Sequence, residues 1–168
     1  MKRAYFLSGM LVVILFLCLI APGPWEGGVR DPDIRFISWM VDDISTAATV
    51  GTNKAGVMVP YNSVPASGED YTLTFQLCGA EARVYTPGTT GTMDIQINRR
   101  RMATDADMLS TQLTMNSGDY IANDATVSTT NGTFRSGDLL EPEVSAIHTT
   151  ASNGLWITLA VKLMTRLK

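Results

Sequence analysis

The stretch "MLSTQLTMNSGDY", residues 108–120, alternates apolar and polar side chains and then halts at Ser117-Gly118-Asp119. Successive side chains of an extended chain point to opposite faces, so Leu109, Thr111, Leu113 and Met115 share one side. The halt recurs as "RSGDLL" at 135–140 and, more loosely, as "ASGEDY" at 66–71. Glycine tolerates positive φ, and the flanking Ser and Asp hydrogen-bond local amides, so such a triplet reverses the backbone. The triplets therefore read as punctuation between strands, not as phosphate or metal ligands.

Period-2 patterning continues on both sides of this stretch. "RFISWMV" (35–41), "AGVMVPY" (55–61) and "YTLTFQLCGAEARVY" (71–85) precede it, and Gly79 predicts a bulge or bend in the long one. In "TMDIQINR", Met93, Ile95 and Ile97 oppose Asp94, Gln96 and Asn98. "DATVSTT" (124–130) is a weak strand, and Pro142 marks a bulge or edge in "DLLEPEVSAIHT" (138–149). In "LWITLAVKLM", Leu155, Ile157, Leu159, Val161 and Leu163 oppose Trp156, Thr158, Ala160, Lys162 and Met164. The predicted fold is all-β: a jelly-roll-like antiparallel β-sandwich of about eight strands over residues 34–168.

Before it stands a different kind of sequence. Lys2 and Arg3 precede an uncharged run from Ala4 to Ala21, which resembles a signal sequence or signal anchor and predicts a hydrophobic N-terminal helix over residues 1–21. Small residues at Ala21 and Gly23 are followed by prolines that disfavour cleavage, so an anchor with the rest of the chain facing outward is expected. Burial of this run against other subunits, or a natural start at a later Met such as Met40, are the alternatives. Residues 22–33, with Pro22, Pro24 and Pro32, form an extended linker.

The chain has 168 residues, a net charge of −3 and 17% charged residues, so it has no global electrostatic attraction to nucleic acid. Cys18 lies in the hydrophobic run, which leaves Cys78 without an obvious partner in the domain. No nucleophile-elbow or zincin motif occurs, and a single histidine, His148, is expected at a surface or interface rather than as a catalyst. The carboxylates of "TDAD" (104–107) and "VDDI" (41–44) read as solvated loop charge, and "NGT" (131–133) reads as a turn that also matches a glycosylation sequon. No metal, cofactor or catalytic residue is expected. The candidate binding residues are Arg99, Arg100 and Arg101, which could meet a neighbouring subunit's carboxylates or an anionic glycan, and Trp156, which shares a face with Thr158 and Lys162. Recognition loops are expected at one end of the sandwich, at residues 86–91, 98–107 and 149–153.

The succession "VGTNKAGVMVPY", "VYTPGTTGTMDIQINRR", "MLSTQLTMNSGDY" and "SGDLLEPEVSAIHTTASNGLWITLAVKLM" resembles a β-sandwich domain of tailed-phage virion structural proteins, of the tail-fibre, head-fibre or minor structural type. The likeness spans about residues 50–163. It implies a non-enzymatic phage structural protein, a homo-oligomer that packs against other virion subunits and binds through surface loops, with a host-surface glycan as a further partner. The hydrophobic start departs from soluble fibre proteins; it suits a virus with an internal membrane, or a host-surface protein sharing the domain. The alternative is a membrane-anchored or secreted carbohydrate-binding β-sandwich module, outside the virion.

Overall fold

The most regular alternation in the sequence, Leu155 to Met164, becomes the middle of a sheet. A computed structural model describes residues 33–52, 54–59, 62–63 and 70–167, and every regular element among them is a strand. The expected N-terminal helix, the hydrophobic run and residues 22–32 of the linker lie outside the described residues, as does most of "ASGEDY".

In chain order the strands are β1 (Ile34–Met40), β2 (Val57–Met58), β3 (Asn62–Ser63), β4 (Asp70–Thr86), β5 (Thr92–Arg101), β6 (Thr104–Asp107), β7 (Leu109–Thr111), β8 (Leu113–Asn116), β9 (Ile121–Ala122), β10 (Thr126–Val127), β11 (Thr133–Arg135), β12 (Leu139–Ala146) and β13 (Asn153–Leu167). One sheet runs β1-β13-β4-β11, with β3 and β9 also paired to β4. A second runs β2-β12-β5-β6, with β8 also on β5, and β7 pairs with β10. Every pairing is antiparallel. The surplus over about eight comes from the two-residue β3 and β9, the three-residue β11, a strand at 104–107 and the division of 109–116 into β7 and β8.

The inward faces are those the alternation marks. Leu155, Ile157, Leu159 and Val161 of β13 and Leu77, Ala82 and Val84 of β4 join Met93, Ile95 and Ile97 of β5, Leu113 and Met115 of β8, and Leu140 and Val144 of β12 in one core. The architecture is β-sandwich-like. Each such side chain contributes about 1.5–3 kcal/mol when fully buried. Phe75 and Phe134, register partners on β4 and β11, stack with centroids 5.2 Å apart at the rim of this core.

Three departures from strict alternation have local causes. Ala160 pairs with Gly79 but Val161 pairs with Leu77, so Cys78 is the extra residue of a bulge beside the glycine. Val144 N–H donates to the Gly51 carbonyl, and position 142 faces the same way by alternation. The described pairings on that side are with β2 at Leu139 and Leu140 and with Gly51, so Pro142 has no ladder partner there to disappoint. Between β7 and β8 the chain changes partners: Leu109 and Leu113 are buried but Thr111 is exposed. Gln96, expected on a polar face, is buried instead. Its Nε2 donates to the Leu109 carbonyl at 3.0 Å and its Oε1 accepts from Leu109 N–H at 3.1 Å, so its amide serves Leu109 as a strand's peptide would.

Candidate functional site

The basic cluster sits at the last turn of the β5 ladder before the hairpin to β6. Residues 98–107 are that hairpin, not a free loop, with Asn98 opposite Asp107 and Arg101 opposite Thr104. β5 begins next to residues 86–91 and, at about 3.3 Å per residue, carries the base of the 98–107 hairpin some 20 Å away and its tip some 30 Å away. The expected gathering of three loops at one end is therefore corrected. Residues 86–91 and 149–153 do meet: Thr89 and Thr150 exchange backbone hydrogen bonds, and Thr149 N–H donates to the Thr90 carbonyl at 2.9 Å. The hairpin occupies the other end.

Parity along β5 explains what the arginines do. Arg99 and Arg101 continue the inward face of Met93, Ile95 and Ile97, while Arg100 lies on the outer face. Arg99 Nη1 donates to the Thr133 carbonyl on β11, in the opposite sheet. Arg101 grips Asp138 with two hydrogen bonds, Nε to Oδ1 at 2.8 Å and Nη2 to Oδ2 at 2.7 Å. Arg100 pairs with Asp105 at 2.9 Å and reaches Glu141 at 3.2 Å. Arg100 and Arg101 are matched by carboxylates of their own chain, whereas Arg99 bonds a carbonyl and its buried Nε has no hydrogen-bond partner. Arg99 and Arg101 plug the open end of the sandwich.

Asp138 is the centre of this plug and is 1% exposed. Besides Arg101 it accepts from Arg135 N–H at 2.8 Å. Its neighbours in the triplet extend the clamp: Ser136 Oγ accepts from Leu73 N–H, and Gly137 N–H donates to the Val59 carbonyl. Burial pushes the Asp138 carboxyl up. The hydrogen bonds from Arg101 and Arg135 N–H, with the charges of Arg101 and Arg99, outweigh burial and hold it below the usual carboxylate range. Arg101 is raised by the bond to Asp138 against the opposing effect of burial. Arg100 is raised first by its bond to Asp105, against burial, with help from the Glu141 and Asp105 charges.

Trp156 lies elsewhere, on the outer face of the first sheet, 37% exposed. Its register partners are Met40 on β1 and Arg83 on β4. Tyr85, two residues from Arg83 on the same face, is exposed, as are Met40 and Phe36. A strip of apolar and aromatic side chains thus crosses three strands on the outside of a rigid sheet. Alternation in β13 had already put Trp156 outward; its neighbours needed the register.

His148 is corrected. It is 1% exposed, covered by Gly88, where an added Cβ would stand 2.3 Å from Nδ1. Neither ring nitrogen has a hydrogen-bond partner. The two backbone bonds between Thr89 and Thr150 draw the loops together over the ring. Asp105 and Asp107 lie exposed on β6 rather than in a loop, whereas Asp43 does cap a turn by accepting from Ser45 N–H. The "NGT" turn forms, with Asn131 N–H donating to Ser128 Oγ at 3.1 Å. In comparison with known proteins, the chain matches no family model and no curated protein.

Proposed function

We propose that this chain is a non-enzymatic structural protein of a phage particle, a fibre, capsid or tail surface component with a jelly-roll-like domain. The observation that carries the reading is the outer face of the first sheet. Phe36, Met40, Trp156 and Tyr85 stand exposed on strands held rigid by a shared core. Exposed large apolar side chains grouped on one face are typical of surfaces that meet other proteins. The loops at 86–91 and 149–153, tied together at one end, offer a second contact surface on the same scaffold. Repetition over many copies turns weak contacts of either kind into firm attachment. The N-terminal hydrophobic run would supply membrane contact during assembly. Mass spectrometry of purified particles and of host membranes tests this directly. Recovery of the chain in stoichiometric amounts with particle proteins is the expected result, and recovery only from membranes without particles overturns it.

A carbohydrate-binding module is the second reading. It is favoured by the juxtaposition of Trp156, Arg83 and Tyr85, since sugars stack on exposed aromatic rings and take hydrogen bonds from a neighbouring guanidinium. Glycan-array binding by the full chain, lost on Trp156→Ala with an unchanged circular-dichroism spectrum, would establish it.

A further inference from the structure

The rims of the sheets are not alike. The described strands that end a sheet order are β1, β11, β10, β7, β2 and β6. Of these, β2 and β10 have two residues, and β7 and β11 have three. β6 has four and exposes Asp105 and Asp107. Shortness and charge are the usual devices that keep a sheet edge from recruiting another strand. With its one charge, Arg35, near its start, β1 is the least protected. It has seven residues, "IRFISWM", with no proline, no lysine and no bulge in its register from Ile34–Lys162 to Met40–Trp156.

Its unpaired side can be assigned atom by atom. Val41 N–H donates to the Leu155 carbonyl, so the odd-numbered residues of β1 turn their amides toward β13. The amides and carbonyls of Phe36, Ser38 and Met40 point the other way, where no described strand lies. The side chains of the same three residues are exposed on the outer face.

We propose that β1 pairs antiparallel with β1 of a second copy of this chain, about a two-fold axis through Ser38. Ser38 then faces the partner's Ser38, and Phe36 and Met40 lie beside the partner's Met40 and the partner's Phe36. About six backbone hydrogen bonds form, two for each reciprocal pair. On the inner face Ile37 meets the partner's Trp39, an aromatic beside a β-branched residue, a pairing that favours cross-strand packing. From Phe36 to Met40 the same-face pairs across the axis are thus apolar or a small hydroxyl. Arg35 lies opposite the partner's Val41, at the margin of the ladder, because β1 itself ends at Met40. A parallel arrangement would instead set Arg35 against its own copy. The outer strip then runs without a break from Trp156 through Met40 to the partner's Phe36, and back again through the two-fold. The interface gives form to the subunit packing proposed above, and it rests on that reading for its biological setting.

Sedimentation velocity of the full chain in detergent micelles, which shield the hydrophobic N-terminal run, tests the pairing. The wild-type chain is expected to sediment as a dimer. Ser38→Lys places like charges face to face at the axis and should weaken the dimer at least about tenfold. Asp105→Lys on the β6 rim should leave it intact. In a background of Cys18→Ser and Cys78→Ser, Ser38→Cys should oxidise to a covalent dimer, since paired Cα atoms about 5.5 Å apart suit a disulfide. This second measurement stands even if Ser38→Lys fails to fold. A monomeric wild type overturns the proposal. So does a folded Ser38→Lys dimer as tight as wild type, which would place association elsewhere in the chain, or a Ser38→Cys chain that does not cross-link. The particle experiment is separate: recovery from particles without β1 pairing sinks this interface alone, and a β1 dimer absent from particles sinks the virion reading alone.

Discussion

Ser117-Gly118-Asp119 and Ser136-Gly137-Asp138 share three residues and almost the same backbone, with glycine φ of 85° and 87°. Their surroundings separate them. Asp119 accepts from Asn116 N–H and Nδ2, both at 3.1 Å, in an exposed turn that leads from β8 to β9 in the other sheet. Asp138 lies under the end of the sandwich, gripped by Arg101, while Ser136 holds Leu73 of the other sheet. Local sequence decides how the chain turns. Whether the turn's carboxylate stays on an exposed turn or is buried against an arginine depends on residues distant in the sequence.

Removing each carboxylate should give very different results. Asp138→Ala leaves the half-buried Arg101 guanidinium and Arg135 N–H without their acceptor, and should cost about 2–4 kcal/mol in urea unfolding, at the lower part of the range for a fully buried pair because Arg101 is partly solvated. A loss no greater than that of Asp119→Ala would remove the distinction drawn between the two turns.

Acid should sharpen the contrast. The folded-state carboxyl of Asp138 is held low, so the unfolded chain takes up its proton first as pH falls. The stability Asp138 contributes is complete above its ordinary unfolded value near about 4 and is lost as pH drops through the lower folded value. Thermal melts between neutral and strongly acid pH should therefore fall more steeply below that point for wild type than for Asp138→Asn. Parallel curves would mean that the Arg101 pairing does not survive in solution.

The glycines test the shared half of the comparison. Gly118 has open space where a Cβ would stand, so Gly118→Ala is opposed only by its positive φ and should cost about 1–2 kcal/mol. Asp119→Ala should cost least, about 0.5–1 kcal/mol, since water replaces much of what the exposed turn loses. Chemical denaturation of both variants beside Asp138→Ala would rank all three.

The sequence reveals strands best where one face meets the core. β13 alternates cleanly because Ile157 must be buried while Trp156 and Thr158 stay half in water. Alternation reports a face, not the depth of cover on the other side, which is why Gln96 reads as solvated and is not. "NRRR" reads as a patch because its counter-charges, Asp105, Asp138 and Glu141, belong to other strands. Its parity was available all along, since 93, 95, 97, 99 and 101 fall on one side. His148 carries no comparable signal: it is covered by Gly88, in a loop about sixty residues away that is tied to residues 149–150 by backbone hydrogen bonds.

β13 lies between β1 and β4, and the Ser38 hydroxyl meets that of Thr158 across a separation of 120 residues. During synthesis the first strand therefore emerges long before the one it must join. Until Asn153–Leu167 has left the ribosome, β1 lacks the strand it pairs with in the sheet. Pairings this remote make for slow folding, and a nascent chain of this kind depends on staying apart from its neighbours until its last strand arrives.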